Sequence, residues 1–434
     1  ADAPDAQNQL DRFIDLCASQ RIPISSFHYG SGYSSRGKQR YVFTWNHDKF
    51  PDPKAINRKF QSHGMRLVAN IKPCLLDDHP SYPALNAQHA FIEDQSTGLA
   101  VVEPYWDGQG SHLDFTRAHT VAWWQAQLKQ QVLDQGIDAG WNDNNEYAIQ
   151  NEDAYSDAGG ARLAMHRSRP LHSLLMTRAT FEAQQAHAAD PSEATFTVTR
   201  AGPPGLQRYA QTWSGDNTTS WATLKWNLRT GLQMSLSGMF NVGHDVGGFY
   251  GPLPEPELFL RWVQACCLNP RMVMNSWKDG GISNLPWMHP EVTDAVRDAI
   301  ALRYRLMPYL WTCFEQAAQK HVPIIRPTFF NFPDDLQCLE DSDEFMLGQS
   351  ILVSPVVTPG QREKRIYMPE LPDGRCWLDF QTRQRFAAGA WHTVAAPLGH
   401  LPMFVAQGAK IAVASPLPGQ LPRHDDPVSE ILDF

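Results

Sequence analysis

Two acidic residues stand in settings suited to carboxylate chemistry: Asp143 in Gly140-Trp-Asn-Asp-Asn-Asn-Glu-Tyr147 and Asp216 in Trp213-Ser-Gly-Asp-Asn217. A third motif, Gly243-His-Asp-Val-Gly-Gly-Phe249, adds His244 and Asp245. A carboxylate held ionised beside a carboxyl group held protonated can attack and protonate the same bond. The same residues also suit turns, because Asp and Asn tolerate the left-handed backbone and bond their own main chain. Spacing alone leaves both readings open. Metal binding fits poorly: Asp143-Asn-Asn-Glu-Tyr-Ala lacks the central Gly and distant Glu of a calcium loop. His28, His47, His79 and His244 show no HxxxH or HExxH spacing of the kind zinc uses, so no metal is expected.

The elements around these motifs alternate. Helical spacing of Leu10, Phe13, Ile14 and Cys17 is followed by an extended run at Ile24–Tyr29. Further strands are expected at 66–72, 137–142, 195–200, the stretch into Trp213, 239–242 and 272–277. Helices are expected near 53–63, 118–135, 172–188, 220–231, 256–267 and 290–320. Strands alternating with helices imply parallel pairing through right-handed crossovers. Over residues 1–320 the expectation is an α/β fold, a (β/α)8 TIM barrel, with about seven strands visible. A doubly wound open sheet is the rival, but no GxGxxG follows the first strand. All three motifs fall just past strand ends, where barrel enzymes keep their catalytic groups. Beyond residue 320, short extended runs separated by Pro, Gly and Asp predict an antiparallel β-sandwich over 321–434. The turns Pro359-Gly360 and Asp373-Gly374 mark hairpins, and the last dozen residues read as a frayed polar tail.

Composition bounds the partners. Hydrophobic residues make up 42% of the 434 and charged residues 19%, enough apolar side chain for a large core. A net charge of −9 argues against nucleic acid or an anionic membrane, both of which need a basic face, and no run approaches about 18 apolar residues. Seven Cys, an odd number with no CxxC, read as reduced core residues and favour a reducing, cytoplasmic compartment. Fourteen Trp is a high count, and a Trp face suits the C–H face of a sugar as well as it suits a core.

Taken in order, these motifs resemble glycoside hydrolase family 31, the α-glucosidase and α-xylosidase family. The resemblance runs from near residue 5 to about 415. It also rests on Leu302-Arg-Tyr-Arg-Leu-Met-Pro-Tyr-Leu310, Arg326-Pro-Thr-Phe-Phe and Phe332-Pro-Asp-Asp335. It implies Asp143 as nucleophile and Asp216 as general acid/base of a retaining exo-α-glycosidase, working through a glycosyl-aspartate intermediate on an oligosaccharide or glycoside, with no cofactor. Retention needs the two carboxyls about 5–5.5 Å apart. Arg200 matches the family's sugar-binding Arg, and His244 and Asp245 match its His-Asp-x-Gly-Gly-Phe segment. Trp213, Trp277, Trp106 and Phe249 are candidate sugar platforms. Lys72, at a strand end, either touches a hydroxyl or neutralises a carboxylate.

Three departures qualify the resemblance. Gly30-Ser-Gly-Tyr33 replaces the family's Asp-x-Asp-Tyr run, so a carboxylate for a remote sugar hydroxyl is missing there. Asn275 stands where the family has a His. The family's N-terminal β-sandwich and first barrel strand are expected before residue 5, so that domain, or a second copy of the chain, would have to cover the open strand edges. Two alternatives share the motifs: a transglycosylase with the same first half-reaction, and an inactive sugar-binding fragment.

Overall fold

Apolar runs that end in polar residues form a row of short parallel strands: β1 (Ser26–Tyr29), β2 (Arg66–Ile71), β3 (Ala139–Asn142), β4 (Val198–Thr199) and β5 (Gln211–Trp213). The structure, a computed structural model, describes residues 2–190, 195–416, 421–423 and 426–434. It divides into two compact units, one running to Cys17 and from Ile24 to Thr212, the other comprising Ala18–Pro23 with Trp213–Phe434.

In the first unit the strands lie in sequence order, β1-β2-β3-β4-β5. A doubly wound sheet would reverse direction from a central strand; an unreversed row is what a barrel wall requires. Helices α1 (Ala6–Ser19), α2 (Pro53–Ser62), α3 (Ala118–Gln131) and α4 (Met165–His187) alternate with the strands. α2 begins where Asp52 accepts from the amide of Ala55 with Pro53 in the first turn, and it buries Ile56, Asn57 and Phe60. The buried Asn57 is held at both ends, by Tyr29 Oη at 2.7 Å and by its own bond to the carbonyl of Gln135 at 2.8 Å. α4 lies so close to β3 that a methyl group on Gly140 would clash with Thr180. Three small antiparallel sheets, absent from the expectation, decorate this unit among the described residues: 35–36 with 39–40, 74–76 with 103–104 and 109–112, and 93–94 with 154–156 and 163–164.

The second unit contains the short strand β6 (Val242–Gly243) and helices α5 (Trp221–Leu236), α6 (Pro256–Cys266), α7 (Thr293–Arg305) and α8 (Met307–Lys320). The helix expected over 290–320 is divided at Leu306, two residues before Pro308, which opens the next helix. The strand expected at 272–277 is reduced to one parallel bridge, Asp245 to Val273. The residues after it instead spend their polar groups on the 245–249 loop: Asn275 bonds Asp245, and the amide of Trp277 bonds the carbonyl of Phe249.

Beyond α8, a six-stranded antiparallel sheet runs in the order 325–327, 345–347, 351–353, 403–406, 376–379, 385–387, and a two-stranded sheet pairs 363–368 with 390–395. Met346, Leu352 and Phe404 meet Ile366, Met368 and Val394 in a shared core around Trp377, the packing of a sandwich. The expected hairpins are not formed: the strands flanking Pro359-Gly360 pair elsewhere, as do those flanking Asp373-Gly374, so these turns carry the chain between sheets. The expected frayed tail is also corrected. Val428–Asp433 pairs antiparallel with Lys410–Ala414, and Phe434 stacks on Phe380 at 5.7 Å beneath Arg383. Residues 424 and 425 of that stretch lie outside the described residues.

The division into compact units lies within the segment expected as barrel, while the change from helices to antiparallel strands follows α8, near the expected 320. Buried Arg261, on α6, donates to the carbonyls of Ala396 and His400 at 2.6 and 3.1 Å, so the late helices and the sandwich form one body. Among the described residues no helix is long and apolar enough to cross a membrane.

Candidate active site

Register places the charged cluster of the first unit. Ile71 of β2, Asn142 of β3 and Thr199 of β4 are paired side by side, so the next residues, Lys72, Asp143 and Arg200, emerge together from the C-terminal ends of three neighbouring strands. Asp143 is 8% exposed. Its Oδ2 accepts from Asn70 Nδ2 at 2.9 Å and from Lys72 Nζ at 2.8 Å, and its Oδ1 faces Arg200 at 3.5 Å. Burial by itself would raise the carboxyl's pKa, but Lys72, the Asn70 amide and Arg200 together hold it below the ordinary carboxylate range. Asp143 is therefore a buried, ionised carboxylate at neutral pH. Lys72, which also binds Asn144 Oδ1, neutralises that carboxylate. Arg200 is shared with Glu146 at 2.6 Å.

The loop after Asp143 is a turn as well as a site. Asn144 and Tyr147 both adopt the left-handed conformation, at φ of 50° and 55°. Fixed contacts hold that geometry in place: Asn145 Oδ1 accepts from the amide of Ala201 at 2.9 Å, and Ser173 Oγ donates to the carbonyl of Asn145. Tyr147 is fully buried, its hydroxyl donating to the carbonyl of Leu113 at 2.9 Å. Its ring lies between those of His112 and His172, 5.0 and 4.8 Å away. Burial pushes both imidazoles down to about 4, so both are neutral, and His172 has no hydrogen-bond partner at either ring nitrogen among the described residues. The sequence reading did not single out this aromatic column; its members lie on three elements, and no local pattern links them.

In the second unit, Asp216 is exposed on the loop after Trp213, beside Gly215 at φ 81°. Ser214 and Asn217 anchor that loop. Ser214 Oγ donates to Asn217 Oδ1 at 2.6 Å, and Asn227 of α5 bonds the same oxygen at 2.8 Å. Because the serine proton is used there, His244 must donate from Nδ1 to Ser214 Oγ at 2.8 Å, leaving Nε2 as an acceptor. His244 is buried and pushed down to about 3, hence neutral. Asp245, equally buried, accepts from Asn275 at 3.3 Å.

Of the expected platforms, Trp277 is 57% exposed and Trp106, in the first unit, 43%. Trp213 is 3% exposed with Arg271 over its ring at 5.5 Å, which makes it packing. Phe249 is partly exposed, its amide held by the carbonyl of Asn217. Lys278, not foreseen, is buried against Thr219 and the Tyr250 carbonyl, and burial pulls its ammonium down to about 8. Among the described residues no group of three or more His, Cys, Asp or Glu side chains is placed to hold a metal ion.

Residues 3–313 match the model of the glycosyl hydrolases family 31 TIM-barrel domain, and residues 321–411 that of the glycosyl hydrolase family 31 C-terminal domain. The chain belongs to glycosyl hydrolase family 31. This family 31 chain is 31% identical over 410 residues to alpha-glucosidase 2 of Bacillus thermoamyloliquefaciens, covering 92% of itself and 50% of that protein. It is 30% identical over 390 residues to neutral alpha-glucosidase C of Homo sapiens, covering 86% of itself and 41% of the relative. It thus spans about half the length of these relatives, or less. A Flavobacterium johnsoniae family 31 dextranase complexed with glucose superposes with a TM-score of 0.85 at 24% identity, over 94% of this chain and 51% of that one. A family 31 alpha-xylosidase from a soil metagenome, complexed with xylose, gives 0.83 at 24%, over 93% and 62%. At such identity the two structures support the fold: a family 31 catalytic domain followed by a C-terminal β domain.

Proposed function

We propose that this chain carries the catalytic machinery of a retaining exo-α-glycosidase, α-glucosidase-like, releasing a terminal α-linked sugar. In this reading Asp143 attacks the anomeric carbon while Asp216 gives its proton to the leaving oxygen, so that a β-glycosyl-aspartate forms and the leaving group departs as an alcohol. Asp216, then ionised, takes a proton from water, which attacks the same carbon and releases the sugar with its α configuration retained. Arg200, His244, Asp245, Asn275, Trp277 and Trp106 are assigned to holding the sugar, and Lys72 to keeping Asp143 charged.

One observation carries the reading: a buried carboxylate, clamped by a lysine, an amide and an arginine, at the C-terminal ends of three adjacent parallel strands. Such a clamp keeps the nucleophile ionised and fixed in place. The relatives' names, alpha-glucosidases among them, agree with the chemistry. Asp143→Asn is expected to lower turnover of an aryl α-glycoside on the order of 10⁴-fold or more. Azide added to Asp143→Gly should yield the β-glycosyl azide, because the small anion fills the place of the carboxylate. Undiminished activity in Asp143→Asn sinks the assignment.

A further inference from the structure

Asn70 and Lys72, which bind Asp143, also line a cleft in the first unit, together with Ser31, Arg40, Tyr105 and Asp107. Tyr105 and Asp107 belong to the tip of the 103–112 hairpin, closed by the bond from the Tyr105 amide to the Gly108 carbonyl at 2.7 Å. Asp107 is fixed there by Arg40, whose backbone amide donates to Oδ2 at 2.6 Å and whose guanidinium donates to Oδ1 at 3.1 Å. The Arg40 guanidinium lies over the Trp106 ring at 4.0 Å, and Lys72 over the same ring at 5.2 Å.

Charge and hydrogen-bond capacity define the ligand. The two cations are already matched, Arg40 by Asp107 and Lys72 by Asp143, so an anionic substituent would meet two carboxylates and no uncommitted cation. A carboxylate has room for about four donors, and Arg40 supplies Asp107 with two. The buried Oδ1 of Asn70 has no hydrogen-bond partner among the described residues. The capacity left on Asp107 is that of an acceptor, so the group that suits this cleft is a donor: a neutral hydroxyl.

We propose that Asp107 is a specificity-determining residue that accepts a hydroxyl of the sugar bound at Asp143 and selects a neutral sugar over one bearing a carboxylate or sulfonate. It lines the same cleft as Ser31, in the segment where the strand-end carboxylate is absent, and supplies a carboxylate from a different element. The proposal rests on the reading of Asp143 as nucleophile, and its test is a binding measurement that does not need turnover.

Methyl α-glucoside, α-galactoside and α-xyloside are titrated calorimetrically into the complete chain. The tightest binder is then compared with each of its monodeoxy isologues, in the wild type and in Asp107→Asn. The wild type is expected to favour the parent over one isologue by at least about tenfold. Asp107→Asn should erase that ratio while keeping the others; its single amide oxygen can accept from only one of the two Arg40 donors, so a lower melting temperature is expected and the ratio between parent and isologue, not the absolute affinity, is the readout. An equal loss against every isologue, or tighter binding of methyl α-glucuronide than of the glucoside, overturns the proposal, as does failure of the wild type to bind any of these glycosides. A wild type that binds and discriminates but cleaves no aryl α-glycoside overturns the nucleophile assignment and leaves Asp107 standing. Cleavage with no effect of Asp107→Asn does the reverse.

Discussion

Asp143 owes its charge to its neighbours. Burial works against ionisation, and the ammonium of Lys72 is the largest of the influences that outweigh it. Removing that ammonium should therefore raise the carboxyl's pKa. Lys72→Met is expected to move the acid limb of kcat/KM upward by about one unit or more, since an opposite charge at this range shifts a carboxyl by about 1–3 units. The ionised nucleophile would then be lost at a higher pH than in the wild type. A pH–rate profile on an aryl α-glycoside checks this, and an unmoved acid limb would assign the charge of Asp143 to Asn70 and Arg200 instead. His244 is the counterpart in the second unit: buried, neutral, and donating from Nδ1 to Ser214, so that it positions the Asp216 loop without carrying charge.

At the scale of elements, the site is a consequence of register. Because side chains alternate along a strand, one residue of slippage in β2, β3 or β4 would send Lys72, Asp143 or Arg200 to the other face. Close backbone approach fixes another element, β6. A methyl group on Gly243 would collide with the carbonyl of Arg271, which is backbone and cannot swing aside. Gly243→Ala is expected to destabilise the chain by about 1–3 kcal/mol, the usual cost of overpacking, and to displace His244 and Asp245 with it. Thermal unfolding reads the first effect and substrate KM the second. A wild-type melting temperature would show that β6 and the Arg271 backbone yield more easily than their contact suggests.

For the whole molecule, buried neutral imidazoles set the response to acid. His172 is fully buried and pushed down to about 4 by burial, against the pull of the Asp114 carboxylate. Its ordinary value is near 6.5, so between about pH 6.5 and 4 the unfolded chain binds a proton that the folded chain excludes. His172 therefore costs stability progressively as pH falls through that window, and His112 and His244 act in the same direction. His172→Phe keeps a ring against Tyr147 and removes two unpartnered nitrogens. It should raise the melting temperature at pH 5 and flatten its dependence between pH 4.5 and 7. An unchanged slope would place the acid sensitivity elsewhere.

Helices at 53–62 and 256–266, the strands at 66–71, 139–142 and 376–379, and the change of character near 320 were all visible in periodicity and turn residues. So were the motifs of Asp143 and Asp216, whose family the comparisons bear out. Local patterns sufficed there because each is written within a few consecutive residues. What a run of residues pairs with is not written in it. The stretch 272–277 is apolar enough for a strand but spends its polar groups on the 245–249 loop. The strands beside Pro359-Gly360 and Asp373-Gly374 pair across the sandwich, and the polar end of the chain finds Lys410–Ala414 as a partner. Residue types, and the ends of strands such as 66–71 and 139–142, are legible in the chain alone. That Lys72 meets Asp143 from a strand 71 positions away, that Trp213 is covered and Trp277 open, and that Asp107 and Ser31 line one cleft are outcomes of long-range packing. Those outcomes depend on register and burial, which arise when segments distant in the chain compete for the same neighbours.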